Sequence, residues 1–275
     1  MRLEVRRLDR NHENGYNLIS MNVNWIGLQT FVMQELLRIK RVWIQTLVTP
    51  WISALLYILI FGQIVGRRIG MISGVTYIDF VVPGLLMLNV MQSAFGHSSS
   101  SLYFQRFARH IEEILTAPLS YMEIIIGYVT GAVVRGLSVA AGVYVIALFF
   151  TVTTVEHLFL FVFYTISVAL IFSLLGLLVG LWSEGFEQLT IPQTFIIMPL
   201  TFLGGLFTSI HMFPENMQWF VRINPFFYFV DGLRYSMIGV SESNQTIGLI
   251  LIIGLVVGLG FWVWYLFKTG YKIRT

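Results

Sequence analysis

The chain has 275 residues, of which 56% are apolar and only 11% charged, and its mean hydropathy is +0.77. So little charge cannot keep a folded chain of this size dispersed in water, which excludes a soluble enzyme or a nucleic-acid-binding domain despite a net charge of +3. The lack of cysteine excludes disulfides, thiolate metal sites and a cysteine nucleophile.

Long blocks of Leu, Ile, Val, Phe and Gly dominate the sequence, with charges pushed to their ends. In hydrocarbon the backbone must satisfy its own hydrogen bonds, so such blocks predict helices. A transmembrane barrel would alternate in strands of about ten residues, and these blocks do not. Residues 1–23, with Arg2, Arg6, Arg7 and Arg10, predict a flexible cytosolic tail. Residues 24–41 predict an amphipathic helix lying in the membrane interface: Trp25, Leu28, Phe31, Val32, Leu36 and Ile39 form its stripe, and Gln34, Glu35, Arg38 and Arg41 face away.

Span one is expected over 42–65, kinked near Pro50, and span two over 77–97, with an irregular first turn at Pro83-Gly84. A polar stretch, 98–120, follows. Within it Phe104, Phe107, Ile111, Ile114 and Leu115 can form one helical face, leaving Arg106, Arg109, His110, Glu112 and Glu113 elsewhere, and Pro118 ends the run. Such a helix either receives force from a soluble partner or seals the base of the bundle. Span three covers 121–150 and contains Arg135, whose reading stays open between pinning a neighbouring helix, an anionic contact and snorkelling. Span four covers 157–181. Span five, 189–207, is interrupted by Pro192 and Pro199.

Residues 208–243 are broken by Pro214 and Pro225 and hold Phe213, Trp219, Phe220, Phe226, Phe227, Tyr228 and Phe229, aromatics suited to a membrane boundary. Asp231 and Arg234, three apart, can pair on one helix face as a local tie or meet a substrate. Span six covers 246–267 and ends in a basic tail, 268–275. Placing both termini and the loop after span two inside collects twelve basic residues there, against four outside. That bias favours six spans with cytoplasmic termini, although Arg67 and Arg68 run against it.

Three segments carry a family resemblance: RHIEEILTAPLSYMEIIIGYVTGAVVRG (109–136), INPFFYFVDGLRY (223–235) and VVPGLL (81–86). With the leading amphipathic helix and six spans, the chain resembles a type-2 ABC transporter permease, the membrane subunit of a bacterial ABC exporter, over nearly all of residues 24–267. The resemblance implies an all-α fold with a cytosolic coupling helix within 98–120 and re-entrant outer helices within 208–243. It implies a non-catalytic, multi-pass subunit of the bacterial inner membrane that pairs with an identical half. Two cytosolic ATPases are implied as partners, and they hold the ATP and magnesium. Motor contacts are thereby expected at Phe104, Arg106, Phe107, Arg109, His110, Glu112, Glu113 and Leu115, with Glu35, Arg38 and Arg41 on the leading helix. Arg135, Pro225, Asp231 and Arg234 are expected to be structural.

A path between spans one, two and five would be walled by aromatics such as Trp51, Tyr57, Phe61 and Phe195. Its cargo would be an amphiphilic compound or a lipid-linked glycan. No Gly-Lys-Ser/Thr phosphate cradle occurs, so nucleotide must bind another chain. The alternative is an ATP-independent transporter or channel, for which the sequence offers neither a buried acidic relay nor paired broken repeats.

Overall fold

The computed structural model describes residues 24–151 and 155–272; the tail expected over 1–23 and the final residues of the basic tail lie outside the described residues. Helix α1 (Trp25–Arg41) starts where the Asn24 side chain accepts the Gly27 N–H, an N-cap that occupies one orphan donor. Helix α2 (Ile44–Ile69) follows almost without a break. A two-residue hairpin then pairs Met71 with Thr76 and Ile72 with Val75. Its turn residues, Ser73 and Gly74, have φ of 51° and 86°, the left-handed pair that a tight hairpin needs. Next come α3 (Tyr77–Phe107), the short α4 (Ile111–Thr116), α5 (Tyr121–Ala147) and α6 (Leu158–Trp182). A helix over residues 190–203, α7, is followed by α8 (Glu215–Ile223), α9 (Pro225–Ile238) and α10 (Gln245–Thr269).

Five helices, α2, α3, α5, α6 and α10, are long and apolar enough to cross a membrane. The chain is therefore an all-α, multi-pass membrane protein. The expected fifth span, 189–207, is not a helix of spanning length. Residues 190–203 reach about 21 Å at ~1.5 Å per residue, short of a hydrocarbon core of about 30 Å. Its backbone also widens to a π-helical turn over Gln193–Ile197, just before Pro199. Helix α2 carries the same device: a π-helical turn over Ile44–Val48 precedes Pro50. The proline ring crowds the carbonyl one turn back, and a wider turn relieves that contact.

Helix α3 is the axis of the bundle and the most buried of the long helices. It runs straight through Pro83 instead of starting irregularly there, and it continues ten residues past the expected end at His97. The serine run explains that extension. A Cβ on Gly176 of α6 would stand 2.1 Å from Ser98 Oγ, and one on Gly180 would stand 2.9 Å from the Ser99 carbonyl. Small residues on both helices permit this approach, and Ser98 donates its hydroxyl back to the Ala94 carbonyl at 3.1 Å. Of three apolar clusters among the described residues, the smallest joins Ile210, Val221 and Phe227, and two fill the bundle. The larger joins α3, α5, α6 and α9 towards the hairpin end, and a smaller one around Phe31, Ile111, Tyr128, Leu181 and Phe267 closes the α4 end.

The segment expected at the outer boundary divides in two. Trp219 and Phe220 on α8 are exposed and stacked at 3.6 Å. Phe226, Phe227 and Phe229 on α9 are instead buried, with Phe226 and Phe229 edge-on to Phe172 of α6. Boundary aromatics were expected at all of these positions; α9 belongs to the core.

Candidate functional site

Phe104 to Leu115 was expected to form one amphipathic helix. The structure divides it. α3 ends at Phe107, Ala108–His110 make a turn, and α4 starts at Ile111. Arg109 supplies the reversal with a left-handed φ of 61°, and its N–H bonds the Arg106 carbonyl at 3.0 Å. Ile111 is buried in the lower cluster and anchors α4, while Arg109, His110, Glu112 and Glu113 are exposed.

α4 lies between two clefts. One, of about 660 Å³, is lined by Phe107, Arg109, Glu112, Leu115, Glu184 and Lys272. The other, of about 480 Å³, separates α4 from α1 and is lined by Gln34, Gln105, His110, Glu113, Ile114 and Leu119. Beside them stands an aromatic group: Phe107, 74% exposed, stacks on Tyr103 at 6.0 Å, and Phe104 meets Phe186 at 5.6 Å. The Arg38 guanidinium sits 5.7 Å from the Phe104 ring, within cation–π range. Burial lowers the Arg38 pKa from the ordinary arginine value, against the pull of Glu35.

Two expected motor contacts are spoken for inside the chain. Arg106 Nη1 donates to the carbonyls of Gly180 and Leu181, each at 2.7 Å, and of Ser183 at 3.3 Å. It thereby caps the last turn of α6, where carbonyls lack helical partners and a cation is favoured. Lys272 Nζ helps from the C-terminal side, donating to the Trp182 carbonyl at 3.3 Å and to Glu184 Oε1 at 2.8 Å. That ammonium holds the exposed Glu184 carboxyl below its usual pKa.

Glu35 is the larger correction, since it was expected to face away from the bundle and is 1% exposed. Ser101 Oγ donates to both of its oxygens at 2.8 Å, Gln105 Nε2 donates to Oε1 at 3.2 Å, and His97 Nε2 lies 3.0 Å from Oε2. Tyr128 extends the network by donating to Gln105 Oε1 at 2.8 Å. The physical reason is α1's path. Instead of lying free beneath the bundle, α1 climbs along α5, with Asn24 at Glu123, Phe31 at Gly127 and Glu35 at Gly131. Its buried face is therefore Phe31, Glu35 and Ile39, and Trp25 is exposed. Arg38 is half-buried and Arg41 exposed.

The base of α1 is clipped by a residue that the sequence reading passed over. Glu123 accepts the Asn24 N–H on Oε1 and the Ser120 N–H on Oε2, both at 2.6 Å. The Ser120-x-x-Glu123 spacing is a capping box and readable as such; its second contact, to Asn24, is tertiary.

At the opposite end, Asp231 and Arg234 are brought together, Nη1 to Oδ1 at 3.7 Å, both fully buried. Asp231 also accepts five hydrogen bonds from Ser241, Glu242, Ser243 and Gln245. Arg234 donates to the Phe80 carbonyl at 3.2 Å and the Gly205 carbonyl at 2.6 Å, and lies 3.7 Å over the Phe80 ring. Pro225 stands in the first turn of α9, where a missing N–H costs nothing. Of the expected path aromatics, Trp51 is packed into α5, donating to the Val139 carbonyl at 3.2 Å against Gly142. Phe61 stacks on Phe207 at 3.9 Å with Tyr57 beside them, and Phe195 points outward from α7.

The family model for ABC-2 type transporters matches residues 27–238, a range holding α4, Glu35 with its partners and the Asp231–Arg234 pair. The chain belongs to the ABC-2 type transporter family. It is accordingly a non-catalytic membrane permease of that family. It is 38% identical over 256 residues to "Inner membrane transport permease YadH" of Escherichia coli (strain K12), covering 93% of this chain and all of that protein. It is 25% identical over 217 residues to "Nodulation protein J" of Rhizobium meliloti (strain 1021), covering 78% of this chain and 82% of the relative. Among the described residues no cluster of His, Asp and Glu suits a metal ion.

Proposed function

We propose that this ABC-2 permease is the membrane half of an ATP-driven exporter, and that α4 with the turn before it receives the stroke of a cytosolic ATPase. The observation that carries the reading is α4 itself. It is a six-residue helix anchored through Ile111, presenting exposed Arg109, His110, Glu112 and Glu113 between two clefts and beside exposed aromatics. A surface with charged residues of both signs and protruding aromatics suits a soluble protein partner. In this reading the α4 end is cytosolic, and the hairpin, α8 and α9 lie on the outer side of a bacterial inner membrane, the setting in the relative's printed name. Residues 190–203 together with α9 complete a sixth passage.

The stroke would travel through α3, which is unbroken from the turn at Arg109 to the carbonyl of Phe80 held by Arg234. Helices with internal hydrogen bonds move as rigid bodies. Bending falls to α2 and α7, which carry the π-turns ahead of Pro50 and Pro199. Two permease copies and two ATPases, which bind the ATP and magnesium, make the transporter. The cargo is an amphiphile or a lipid-linked glycan, passing beside α2 and α7, where Tyr57, Phe61 and Phe195 remain candidate wall residues.

The test is co-purification of the permease with its ATPase. Arg109→Glu and Glu113→Lys are expected to reduce bound ATPase several-fold without changing the permease's own melting temperature, because both side chains are exposed. Undiminished ATPase recovery with both variants, or uphill transport by the permease alone, refutes the assignment.

A further inference from the structure

Arg135 is a cation without a partner. Its Nε is fully buried and makes no hydrogen bond, and the rest of its guanidinium has no hydrogen bond or ion pair among the described residues. Arg38, reaching across from α1, is close enough for the two like charges to repel. The nearest carboxylate cannot serve both, since the two oxygens of Glu35 are taken by His97, Ser101 and Gln105. The other titratable groups facing this place are His97 from α3 and Tyr128 from α5. One carboxylate against two guanidiniums leaves the place where α1 packs on α5 with an excess positive charge and no further anion among the described residues. Arg135 is half-buried, and a guanidinium whose Nε has no partner is costly at membrane depth unless something outside the chain supplies the counter-charge.

The depth identifies that something. Arg38 precedes Ile44, where the first helix of spanning length begins, by about 9 Å at ~1.5 Å per residue. A Cβ on Gly131 would stand 2.8 Å from His97 Nε2, so α5 passes His97 at Gly131, and Arg135 follows one turn later. Glu35 packs on the same Gly131 and Arg38 follows it by one turn, so both arginines stand at the α4-side start of that span. A guanidinium at that height reaches the phosphate layer by extending its stem.

We infer that Arg38 and Arg135, brought together where α1 packs on α5, bind the phosphate of an anionic lipid. The planar fork of each guanidinium matches phosphate oxygens in a way a lysine does not. A soluble phosphate shares this chemistry, and the experiment separates it from the lipid. The site is separate from the exposed face of α4 and holds whether or not an ATPase docks there.

The full-length chain is reconstituted in bilayers of equal phosphatidylglycerol and phosphatidylcholine and extracted in mild detergent, and the retained lipid is quantified by native mass spectrometry. The wild type is expected to retain phosphatidylglycerol about tenfold over phosphatidylcholine, and Arg135→Gln or Arg38→Gln each to remove most of that preference. Arg135→Lys, which keeps the charge but loses the fork, falls between. Lys40→Gln, on the far side of α1, leaves the preference intact. Should Arg135→Gln fail to fold, Arg38→Gln, on a half-buried surface position, decides alone. Adding inorganic phosphate and glycerol-1-phosphate to the delipidated chain separates the sources. Stabilisation of the wild type and not of Arg38→Gln means that the phosphate group suffices; no stabilisation, with the lipid preference present, means that the lipid is required. Equal retention of the two lipids by the wild type, or an unchanged preference in both glutamine variants, overturns the site.

Discussion

Replacing Glu35 with alanine removes the shared acceptor of His97, Ser101 and Gln105 from a buried place between α1 and α3. A buried polar group left without a partner costs about 1–3 kcal/mol. Ser101 can turn its hydroxyl to a carbonyl of its own helix, as Ser98 does, which leaves His97 and Gln105 stranded. With the void of the missing side chain, the loss comes to about 3–5 kcal/mol. For a chain of this size that corresponds to a fall of roughly 6–15 °C in melting temperature. Glu35→Gln keeps the volume but turns an amide N–H₂ towards donors, so about 1–3 kcal/mol is expected. Glu113→Gln, on the exposed side of α4, is expected to shift stability by no more than ~0.5 kcal/mol. The assay is thermal unfolding of the purified chain in detergent without ATPase, followed by intrinsic fluorescence. If Glu35→Ala melts with the wild type, or no lower than Glu113→Gln, then Glu35 is not the buried hub described and α1 is not fastened through it.

Two further outcomes follow from the same reasoning. Asp231→Asn is expected to destabilise the chain by about 3–5 kcal/mol, because an amide N–H₂ would face the donors now converging on the carboxylate. Arg234→Met should cost less, since Asp231 keeps those donors; thermal unfolding of the two variants giving the reverse order would refute this ranking. Arg106→Gln is expected to lower the stability of the isolated permease by about 1–2 kcal/mol through uncapping α6, with Lys272 holding part of the end. An unchanged melting temperature alongside weakened ATPase binding would return Arg106 to the motor surface.

Five of the six expected spans were legible because hydrocarbon enforces long apolar runs, and the family motifs were legible because they are contiguous. The stripe of α1 was misread at Trp25, which is exposed, and at Glu35, with a large consequence. Phe31, Glu35 and Ile39 are spaced four apart and share a face, so Glu35 lies inside the buried stripe by geometry alone. Reading charge as exposure moved it outward. The partners that make its burial tolerable, Ser101 and Gln105, lie more than sixty residues away, and no local pattern announces them. The serine run after His97 misled in the same direction, because polarity was read as loop. In a membrane bundle serine is also a small residue, and here it is the surface on which glycines of α6 rest. Arg106 could be placed near the α4 turn from sequence, but its partners are the open carbonyls of another helix's last turn. Backbone acceptors leave no mark in a side-chain pattern.

These contacts distribute rigidity unevenly, and the distribution bears on how a stroke at α4 would be felt. α3 is fixed at one end by Glu35 and at the other by Arg234 on the Phe80 carbonyl, and between them its serines lie close against α6. Displacing α3 alone would break buried polar contacts at both ends, each worth on the order of 1–3 kcal/mol. It is cheaper for α1, α3, α5 and α6 to move together. α2 and α7 are held more lightly, by the Trp51 bond to the Val139 carbonyl and the Asn224 bond to the Leu200 carbonyl; both are largely exposed along their length, and each has a π-turn two residues ahead of a proline. A π-turn lacks the regular i to i−4 ladder, so bending there forfeits less than bending a regular helix. The stacked Phe61 and Phe207 join these compliant elements where the chain leaves α7. A push on the α4 end therefore meets a stiff block and is relieved where α2 and α7 can bend, on the helices that carry Tyr57, Phe61 and Phe195.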